Sequence, residues 1–547
     1  MCFSLNTLKP TLALICSREK VFSISTFEFA ILLIMTPKFL FLLSTLPLIA
    51  SCNPIRVVDS SEESGNTSSL SSQSEESDES ISSSSQSGNS PQKEMSAEFQ
   101  ALFAHNSSVS FKIQISEATA KAINDLQSSR DSIYVDAYLP ASVTLSLNGT
   151  DYVLEEVGIR MKGNTSRGTI LGGDGKLETA RHYKLKFNET FDDAIYDETP
   201  LLSFKKTWAN DAERTARKDR ELFGMNKLDL KVVPRNNDVC ELSEVYAYDS
   251  FRSKGLLAPY ANLGSVEMQI EGHSESLTST YELIESIDKS FLKKRFSKAD
   301  AKGDLYKCVY NAMGKADLSR SGAVSKEKDS NGYTIGTRVA KGKIGVEDNF
   351  HSYAPVYQLK TNDRLGEDSD FSQMAAYLNA VYNVTYCSAP LSFLENVLDV
   401  DSFLRFSAVS WALGNFDDQR YNYNNYYLYF VPSSGKAIYI PYDFDWCLGN
   451  DEGRNLSKVA PFDAYTIDGG EEASIFYATF LKTSKSGSSI AYDRSELQNT
   501  YLSYCQDTRD ILNYDNFKAL SDASPYDTGV ESSVVPSYMS TKLTHLA

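Results

Sequence analysis

The stretch of residues 411–449 constrains the fold of this 547-residue chain more than any other. An apolar helical pattern over residues 400–413 ends at Gly414, and glycine adopts the left-handed conformation that ends helices at little cost. Two strand-like runs, Tyr426–Val431 and Lys436–Ile440, flank the turn sequence Pro-Ser-Ser-Gly. The pattern predicts a helix followed by a β-hairpin.

Carboxylate and amide side chains flank this hairpin. Asp417 and Asn425 precede its first strand, and Asp443 and Asp445 follow its second. Protein kinases place the same groups in the same order: an Asp that accepts the substrate hydroxyl proton, then an Asn and a further Asp that bind Mg²⁺. Mg²⁺ is a hard cation that requires oxygen ligands. Asp and Asn are also common turn residues, so a purely structural turn is the alternative.

The two carboxylates after the hairpin, Asp443 and Asp445, are separated by one residue. We expect only one of Asp443 and Asp445 to belong to the site, on the assumption that their side chains point to opposite faces of the chain. The sequence does not say which of the two it is.

A second polar pattern is the basic segment at residues 160–186. It holds seven Lys or Arg residues and two acidic ones, in a chain of formal charge −18. It begins in the sequence G-I-R-M-K-G-N-T-S and ends in a predicted strand with Lys184 and Lys186 on one face. Because Lys, Arg and loop N–H groups suit phosphate oxygens, the segment is a candidate triphosphate site. A solvated basic face is the alternative.

These residues together resemble the spore coat protein H (CotH) kinase family. The matching motifs are G-N-F-D at Gly414, N-Y-Y-L-Y at Asn425, P-Y-D-F-D at Pro441, G-I-R-M-K-G-N-T-S at Gly158 and Y-E-L-I-E-S-I-D at Tyr281. The chain departs from the family at an Arg-Glu pair, which reads Ser243-Glu244 here. The Glu is kept and the Arg is lost.

The resemblance implies an α+β fold of the atypical protein-kinase-like, two-lobed type. Residues 108–285 would form a β-rich N-lobe and residues 286–512 a mainly helical C-lobe. ATP and Mg²⁺ or Mn²⁺ are the implied cofactors, and the implied partner is a protein substrate with a Ser or Thr hydroxyl.

The resemblance also assigns roles to individual residues. Asp417 would be the catalytic base, and Asn425 with Asp443 or Asp445 would bind the metal. The implied nucleotide-binding residues are Arg160, Lys162, Asn164, Ser166, Lys184, Lys186, Glu244 and Glu285. Glu244 would pair with the strand lysine, Lys184 or Lys186, as the helix glutamate of kinases does. An ordinary exposed helix glutamate is the alternative.

The amino terminus predicts export from the cytoplasm. Residues 35–51 have a short basic start and an apolar run, followed by Cys52, so residues 1–51 read as a signal peptide with Met35 as an alternative start. The ending I-A-S-C resembles a bacterial lipobox. It implies that Cys52 is lipidated and anchors the protein to a membrane of the bacterial cell envelope. An uncleaved membrane anchor is the alternative.

Two further segments look unstructured. Residues 52–107 include a run of Ser and Glu with almost no apolar residues, which predicts a flexible tether and offers Ser-acidic sites for phosphorylation. Residues 513–547 are polar and Ser-rich and are predicted to be a weakly ordered tail. The strongly acidic charge argues against nucleic acid as a partner.

The sequence therefore predicts a surface-anchored kinase that transfers the γ-phosphoryl group of ATP to protein Ser or Thr. A catalytically inactive, kinase-like binding module in surface or coat assembly is the first alternative, because ATP is scarce outside the cell. A two-carboxylate glycosidase is the second. The basic segment at 160–186 has no role in a glycosidase.

Overall fold

Alternation of apolar and polar residues shapes two strands in the first half of the chain. In the strand Leu139–Leu147 every second residue is buried, and the strand Val109–Ile115 follows the same rule. Side chains alternate between the two faces of a strand, so this pattern gives each strand one apolar face. A sheet made of such strands must cover that face.

The computed structural model describes most of the chain beyond residue 94. The described residues are 95–128, 135–163, 166–197, 201–233, 240–310, 316–318, 356–363, 370–386, 391–463, 495–530 and 533–547. The strands are β1 (Val109–Ile115), β2 (Leu139–Leu147), β3 (Thr150–Met161), β4 (Tyr183–Lys186), β5 (Lys227–Val232), β6 (Ala261–Ile270), β7 (Ser276–Glu285), β8 (Leu305–Cys308), β9 (Tyr357–Leu359), β10 (Tyr426–Phe430) and β11 (Ala437–Pro441).

The described helices begin before the first strand and continue to the end of the chain. They are α1 (Ala97–Leu102), α2 (Glu117–Ser128), α3 (Asp211–Lys218), α4 (Ser243–Ser253), α5 (Lys289–Arg295), α6 (Ser372–Tyr386), α7 (Ser392–Glu395), α8 (Val400–Leu413), α9 (Ser495–Gln506), α10 (Tyr514–Ala523) and α11 (Val535–Leu543). The fold class is therefore α+β, as predicted.

Seven strands form a closed barrel in the order β1-β2-β3-β4-β5-β7-β6. Parallel pairing of β1 with β6 closes it, and the other neighbours are antiparallel. Closure pairs the edges of the sheet, and one continuous apolar core fills the interior. Leu228 and Leu230 of β5 belong to that core. The alternate residues of β5, Asp229 and Lys231, therefore face out of the barrel.

The predicted hairpin forms part of a second sheet. Strands β10 and β11 pair antiparallel, and the four strands follow the order β11-β10-β8-β9. The preceding helix α8 begins after Asp399, whose side chain accepts a hydrogen bond from the Ser402 N–H. It ends at Gly414 with φ 67°, in the left-handed conformation expected from the sequence. The prediction of this helix and hairpin is confirmed.

Helix α4 connects the barrel to the second hydrophobic core. Most of its residues are buried, and the core includes side chains of α8 and of the hairpin. The Phe251 ring lies 5.2 Å from that of Phe406 and 5.0 Å from that of Phe444. Aromatic pairs at these distances add to the stability gained from burial. Packing therefore fixes α4 against the segment that follows β11.

The predicted boundaries of the folded region are wrong at both ends. The residues expected to be a weakly ordered tail, 513–547, contain α10 and α11, and Phe517 and Tyr538 are buried in the second core. Apolar residues at helical spacing lie among the serines there and supply the buried face. Likewise α1, within the expected tether at 52–107, buries Phe99 and Leu102 completely. The lobe boundary near residue 285 stays a prediction.

Several predictions fall on the part of the chain that precedes Met95. The signal peptide, Cys52 and the Ser-rich tether up to residue 94 lie outside the described residues. In the described ranges, no helix combines the length and the apolar character needed to cross a bilayer.

Candidate functional site

Lys231 of β5 lies at the centre of a charged cluster. Its ammonium contacts the carboxylates of Glu244 and Asp443 and lies 3.6 Å from Asp445 Oδ2. The Lys231 side chain is 3% exposed and that of Glu244 is 1% exposed. Charge-assisted hydrogen bonds are strong where water is excluded. The contact therefore joins the barrel, α4 and the segment after the hairpin.

A tyrosine fixes the geometry of the same three elements. The Tyr248 hydroxyl of α4 donates to Glu244 Oε1 at 2.6 Å and accepts from the Asp443 N–H at 3.0 Å. Tyr248 is completely buried. Because one hydroxyl serves both partners, the helix carboxylate and the post-hairpin backbone are held together without relying on solvent.

Three carboxylates of this cluster are arranged to hold a cation. One oxygen each from Glu244, Asp443 and Asp445 lie within 4.8 Å of one another. Against the effect of burial, the positive charge of Lys231 and then that of Lys162 lower the pKa of Asp443 well below its usual range. A set of carboxylate oxygen donors suits Mg²⁺ or Mn²⁺. The donor types present therefore fit the divalent cation that the resemblance implies, although the Lys231 ammonium contacts the same three carboxylates.

Asp443 and Asp445 both reach the cluster, so the expectation that only one of them belongs to the site is wrong. Strand β11 ends at Pro441, before either residue. Asp443 then adopts φ 58°, in the left-handed region that few residues other than glycine enter. Residues two apart on a strand share a face, so the assumption that the two side chains point apart was itself incorrect.

Asp417 is held in a loop by amide side chains. Its Oδ1 accepts from Asn422 Nδ2 at 2.5 Å and from Asn424 Nδ2 at 3.3 Å, and its Oδ2 accepts from Asn425 Nδ2 at 3.0 Å. Burial raises the pKa of Asp417 to about 6, helped by the negative charges of Asp443 and Asp445 and opposed by the amide bonds. A carboxylate with this pKa is a suitable proton acceptor near neutral pH.

Asn425, expected as a metal ligand, turns its amide NH₂ to Asp417. It donates both to the Asp417 carboxylate and to the Asp417 carbonyl, the latter at 2.9 Å. The amide oxygen, which is the atom a metal would bind, lies outside these bonds. Asn425 also has φ 55°. Non-glycine residues in this conformation concentrate at functional sites, where the surrounding structure maintains the strain.

Asp418 fixes the backbone of the same loop, a role that was not predicted from the sequence. It is completely buried, and its Oδ1 accepts from the backbone N–H groups of Arg420 at 2.8 Å and Tyr421 at 3.2 Å. The Ser410 hydroxyl donates to its other oxygen. The loop therefore has two adjacent carboxylates, one holding the backbone and one presented to the site.

The basic residues of segment 160–186 have different partners, and only some of them lie near this site. Lys184 pairs with the buried Asp229 at 2.9 Å, and Lys162 lies 3.8 Å from the same carboxylate. Arg160 pairs with Asp136 at 2.6 Å. Lys186 instead pairs with Glu189 at 2.8 Å. Lys184 is thus the strand lysine that joins the cluster around Asp229.

Four of the residues that the resemblance implies for the nucleotide site have other contacts than expected or lie outside the described residues. The lysine that pairs with Glu244 is Lys231, not Lys184 or Lys186. Glu285 forms a structural ion pair with Arg295 at 2.5 Å. The Ser166 hydroxyl packs against Gly163, where a Cβ would lie 2.0 Å from it. Asn164 lies outside the described residues.

The sequence around Lys231 carries a signal for its role. Asp229 and Lys231 alternate with Leu228 and Leu230 in the run K-L-D-L-K-V. Charged residues at alternate positions of an otherwise apolar strand point to one face, and buried charges of this kind are paired. The spacing alone does not name their partners, because those partners come from α4 and from the hairpin.

Side chains of the C-terminal helix α11 donate hydrogen bonds to the backbone near the Asp417 loop and after the segment that carries Asp445. The Tyr538 hydroxyl donates to the Ala412 carbonyl at 3.0 Å, close to the start of the Asp417 loop. The Lys542 ammonium donates to the Leu456 carbonyl at 2.9 Å and to the Val459 carbonyl at 3.0 Å, after the segment that carries Asp445. The helix therefore connects the two loops through backbone carbonyls.

Gly414→Ala tests how closely α11 fits. A Cβ at Gly414 would lie 2.0 Å from the Tyr538 hydroxyl oxygen, and the backbone there has φ 67°. We expect a loss of about 2–4 kcal/mol in the free energy of unfolding, measured by urea titration. Gly435→Ala is the matched control, because Gly435 has φ 68° and open space around its Cβ. Its expected loss is about 1–2 kcal/mol. Equal losses would show that Tyr538 does not constrain the loop.

A comparison with protein families finds a match that covers most of this site. The family model described as CotH kinase protein matches residues 197–524. The match includes Lys231, Glu244, Asp417 and the hairpin with its two following carboxylates, whereas the basic segment precedes it and α11 follows it. A search of curated proteins found no match. Because the family model matches more than half of the 547 residues, the chain belongs to the CotH kinase family.

Proposed function

We propose that this protein is an atypical kinase that transfers the γ-phosphoryl group of ATP to Ser or Thr hydroxyls of proteins, with Mg²⁺ or Mn²⁺ as cofactor. The observation that carries the proposal is the contact of Lys231 with both Glu244 and Asp443. Protein kinases use a strand lysine, a helix glutamate and a metal-binding aspartate after a hairpin in the same chain order.

The distribution of elements supports a two-lobed, kinase-like arrangement. The barrel with its own apolar core supplies the basic segment and Lys231. The second core, built around α8 and the hairpin, supplies Asp417, Asp443 and Asp445. We infer an N-lobe at residues 108–285 and a C-lobe at 286–512, extended at its end by α10 and α11.

Each residue of the site has a separate role in this proposal. Asp417 accepts the proton of the attacking hydroxyl and orients it, since its two oxygens are fixed by three amide groups. Lys231 binds phosphate oxygens, and Glu244 positions its ammonium. Asp443 and Asp445 would hold a divalent cation, which when bound would neutralise charge on the transferring phosphoryl group.

A thermal-shift titration with Mg·ATP and Mn·ATP tests nucleotide binding directly. A ligand that binds only the folded state stabilises it by about 2.7 kcal/mol at a hundredfold excess over its Kd. We expect a clear rise of the unfolding midpoint with metal and nucleotide together, and a smaller rise with either alone. No rise with any metal-nucleotide combination would contradict the proposal.

A further inference from the structure

Lys307 of β8 is a cation without a matching carboxylate. Its ammonium lies 4.3 Å from the centroid of the Tyr442 ring, and no carboxylate of the described residues forms an ion pair with it. Burial, and then the positive charges of Lys360 and Lys162, lower the pKa of Lys307 to about 7, although Asp443 opposes them. A half-buried ammonium among other cations costs free energy unless an anion compensates it.

The neighbourhood of Lys307 carries an excess of positive charge. The Lys162 ammonium lies 5.2 Å from the centroid of the same Tyr442 ring. Lys162 and Lys184 share a single carboxylate, that of Asp229. Asp443 also lies near Lys162 and Lys307, but its carboxylate already pairs with Lys231. Three ammonium groups thus share the carboxylates of Asp229 and Asp443, and Lys231 shares the second of these, in a chain whose formal charge is −18. A local excess of this sign in an acidic protein indicates an anionic ligand.

The three lysines come from different parts of the fold. Lys162 follows β3 and Lys184 lies on β4, both in the barrel, whereas Lys307 lies on β8 of the second sheet. Lys162 and Lys307 lie over the ring of Tyr442, the residue before Asp443, and Lys184 is near enough for its charge to lower the pKa of Lys307. An anion bound here therefore lies beside the carboxylates that hold the metal.

We propose that Lys162, Lys184 and Lys307 form an anion subsite whose ligand is a phosphate group of the phosphoryl donor. This proposal rests on the proposed function and extends it, since Lys307 joins the donor site from the second sheet. Ammonium groups recognise phosphate oxygens whatever the phosphate is attached to. The subsite therefore accepts an inorganic triphosphate as well as the triphosphate of ATP.

Isothermal titration of the full-length chain with three probes tests this subsite. The probes are inorganic triphosphate with Mg²⁺, Mg·ATP and adenosine. Lys307→Met removes the charge and keeps most of the length, Lys307→Arg keeps the charge, and Lys121→Met is the control. Lys121 is an exposed lysine on α2 that pairs with Asp125.

We expect Lys307→Met to weaken both triphosphate ligands by the same factor, roughly ten- to hundredfold. Lys307→Arg should retain most of the affinity, and Lys121→Met should match the wild type. Adenosine should bind far more weakly than either triphosphate. The unfolding midpoint of Lys307→Met without ligand should be unchanged or higher, because an uncompensated charge has been removed.

Two results would overturn the subsite. One is a wild-type chain that binds Mg·ATP but not inorganic triphosphate, which would mean that the base carries the affinity. The other is a Lys307→Met variant that binds triphosphate as tightly as the wild type, whatever the change in its unfolding midpoint. Binding of inorganic triphosphate that depends on Lys307, without any phosphoryl transfer to protein, would instead leave the subsite standing and refute the kinase activity.

Discussion

Asp417→Asn is expected to lower the rate of phosphoryl transfer by about 10²–10⁴-fold while Mg·ATP affinity stays nearly unchanged. Asparagine keeps the size of the side chain within the cage of Asn422, Asn424 and Asn425 but does not accept a proton. The rate is measured as initial label transfer, and binding as the shift of the unfolding midpoint. An equal loss of binding and transfer would assign Asp417 to the nucleotide site rather than to proton transfer.

The same residue sets a pH limit on the reaction. Burial raises the pKa of Asp417 to about 6, so the carboxylate is ionised above that pH and protonated below it. The transfer rate should therefore fall as the pH drops through about 6. In Asp417→Asn this dependence should disappear from the residual rate, because the titrating group is gone.

Asp443→Asn and Asp445→Asn are each expected to weaken metal-dependent nucleotide binding by about 10²-fold or more. Both carboxylates lie with Glu244 within 4.8 Å, and each substitution removes a charged oxygen donor from that set. Asp443→Asn also removes one partner of the buried Lys231 and should lower the midpoint of the ligand-free chain. The measurement is a Mg²⁺ and Mn²⁺ titration at fixed ATP.

Asp522→Asn is the control for this pair of variants, because Asp522 is exposed on α10 and pairs with Lys518. It should bind metal and nucleotide like the wild type. Normal metal-dependent binding in Asp445→Asn would contradict the shared cluster and would support the expectation from the sequence that only one of the two aspartates contributes.

Local signals in the sequence predicted much of the site's scaffold. Gly414 marks the end of α8 because a left-handed residue ends the helix, and the two aromatic strands with their Pro-Ser-Ser-Gly turn predict the hairpin. The family motifs then placed Asp417 and Asp443 in order along the chain. These features depend on neighbouring residues, so they can be read without tertiary structure.

The parts that could not be predicted depend on contacts between distant segments. The pairing of Lys231 with Glu244 and Asp443 joins a strand, a helix and a post-hairpin turn, and strand spacing alone does not select that lysine over Lys184. The positive φ of Asp443 turns the chain after β11, and the carboxylates of both Asp443 and Asp445 reach the cluster. Both effects come from packing around the site.

The end of the chain was mispredicted for a different reason. Serine and other polar residues dominate its composition, and this hides the helical spacing of Val535, Tyr538 and Met539. These side chains are buried against the core around α8. Composition describes an average, whereas a helix needs only one apolar face to pack.

The most direct test of the account is label transfer from γ-labelled ATP with Mg²⁺ or Mn²⁺. The acceptors are the purified chain itself, which contains the Ser-rich segment before residue 95, and a generic acidic protein. The account predicts metal-dependent labelling by the wild type and by Asp522→Asn, and its loss in Asp417→Asn and Asp443→Asn. Labelling that persists in Asp417→Asn would contradict the role of Asp417 as base. No labelling of any acceptor despite intact Mg·ATP binding would contradict the kinase activity and favour an inactive binding module.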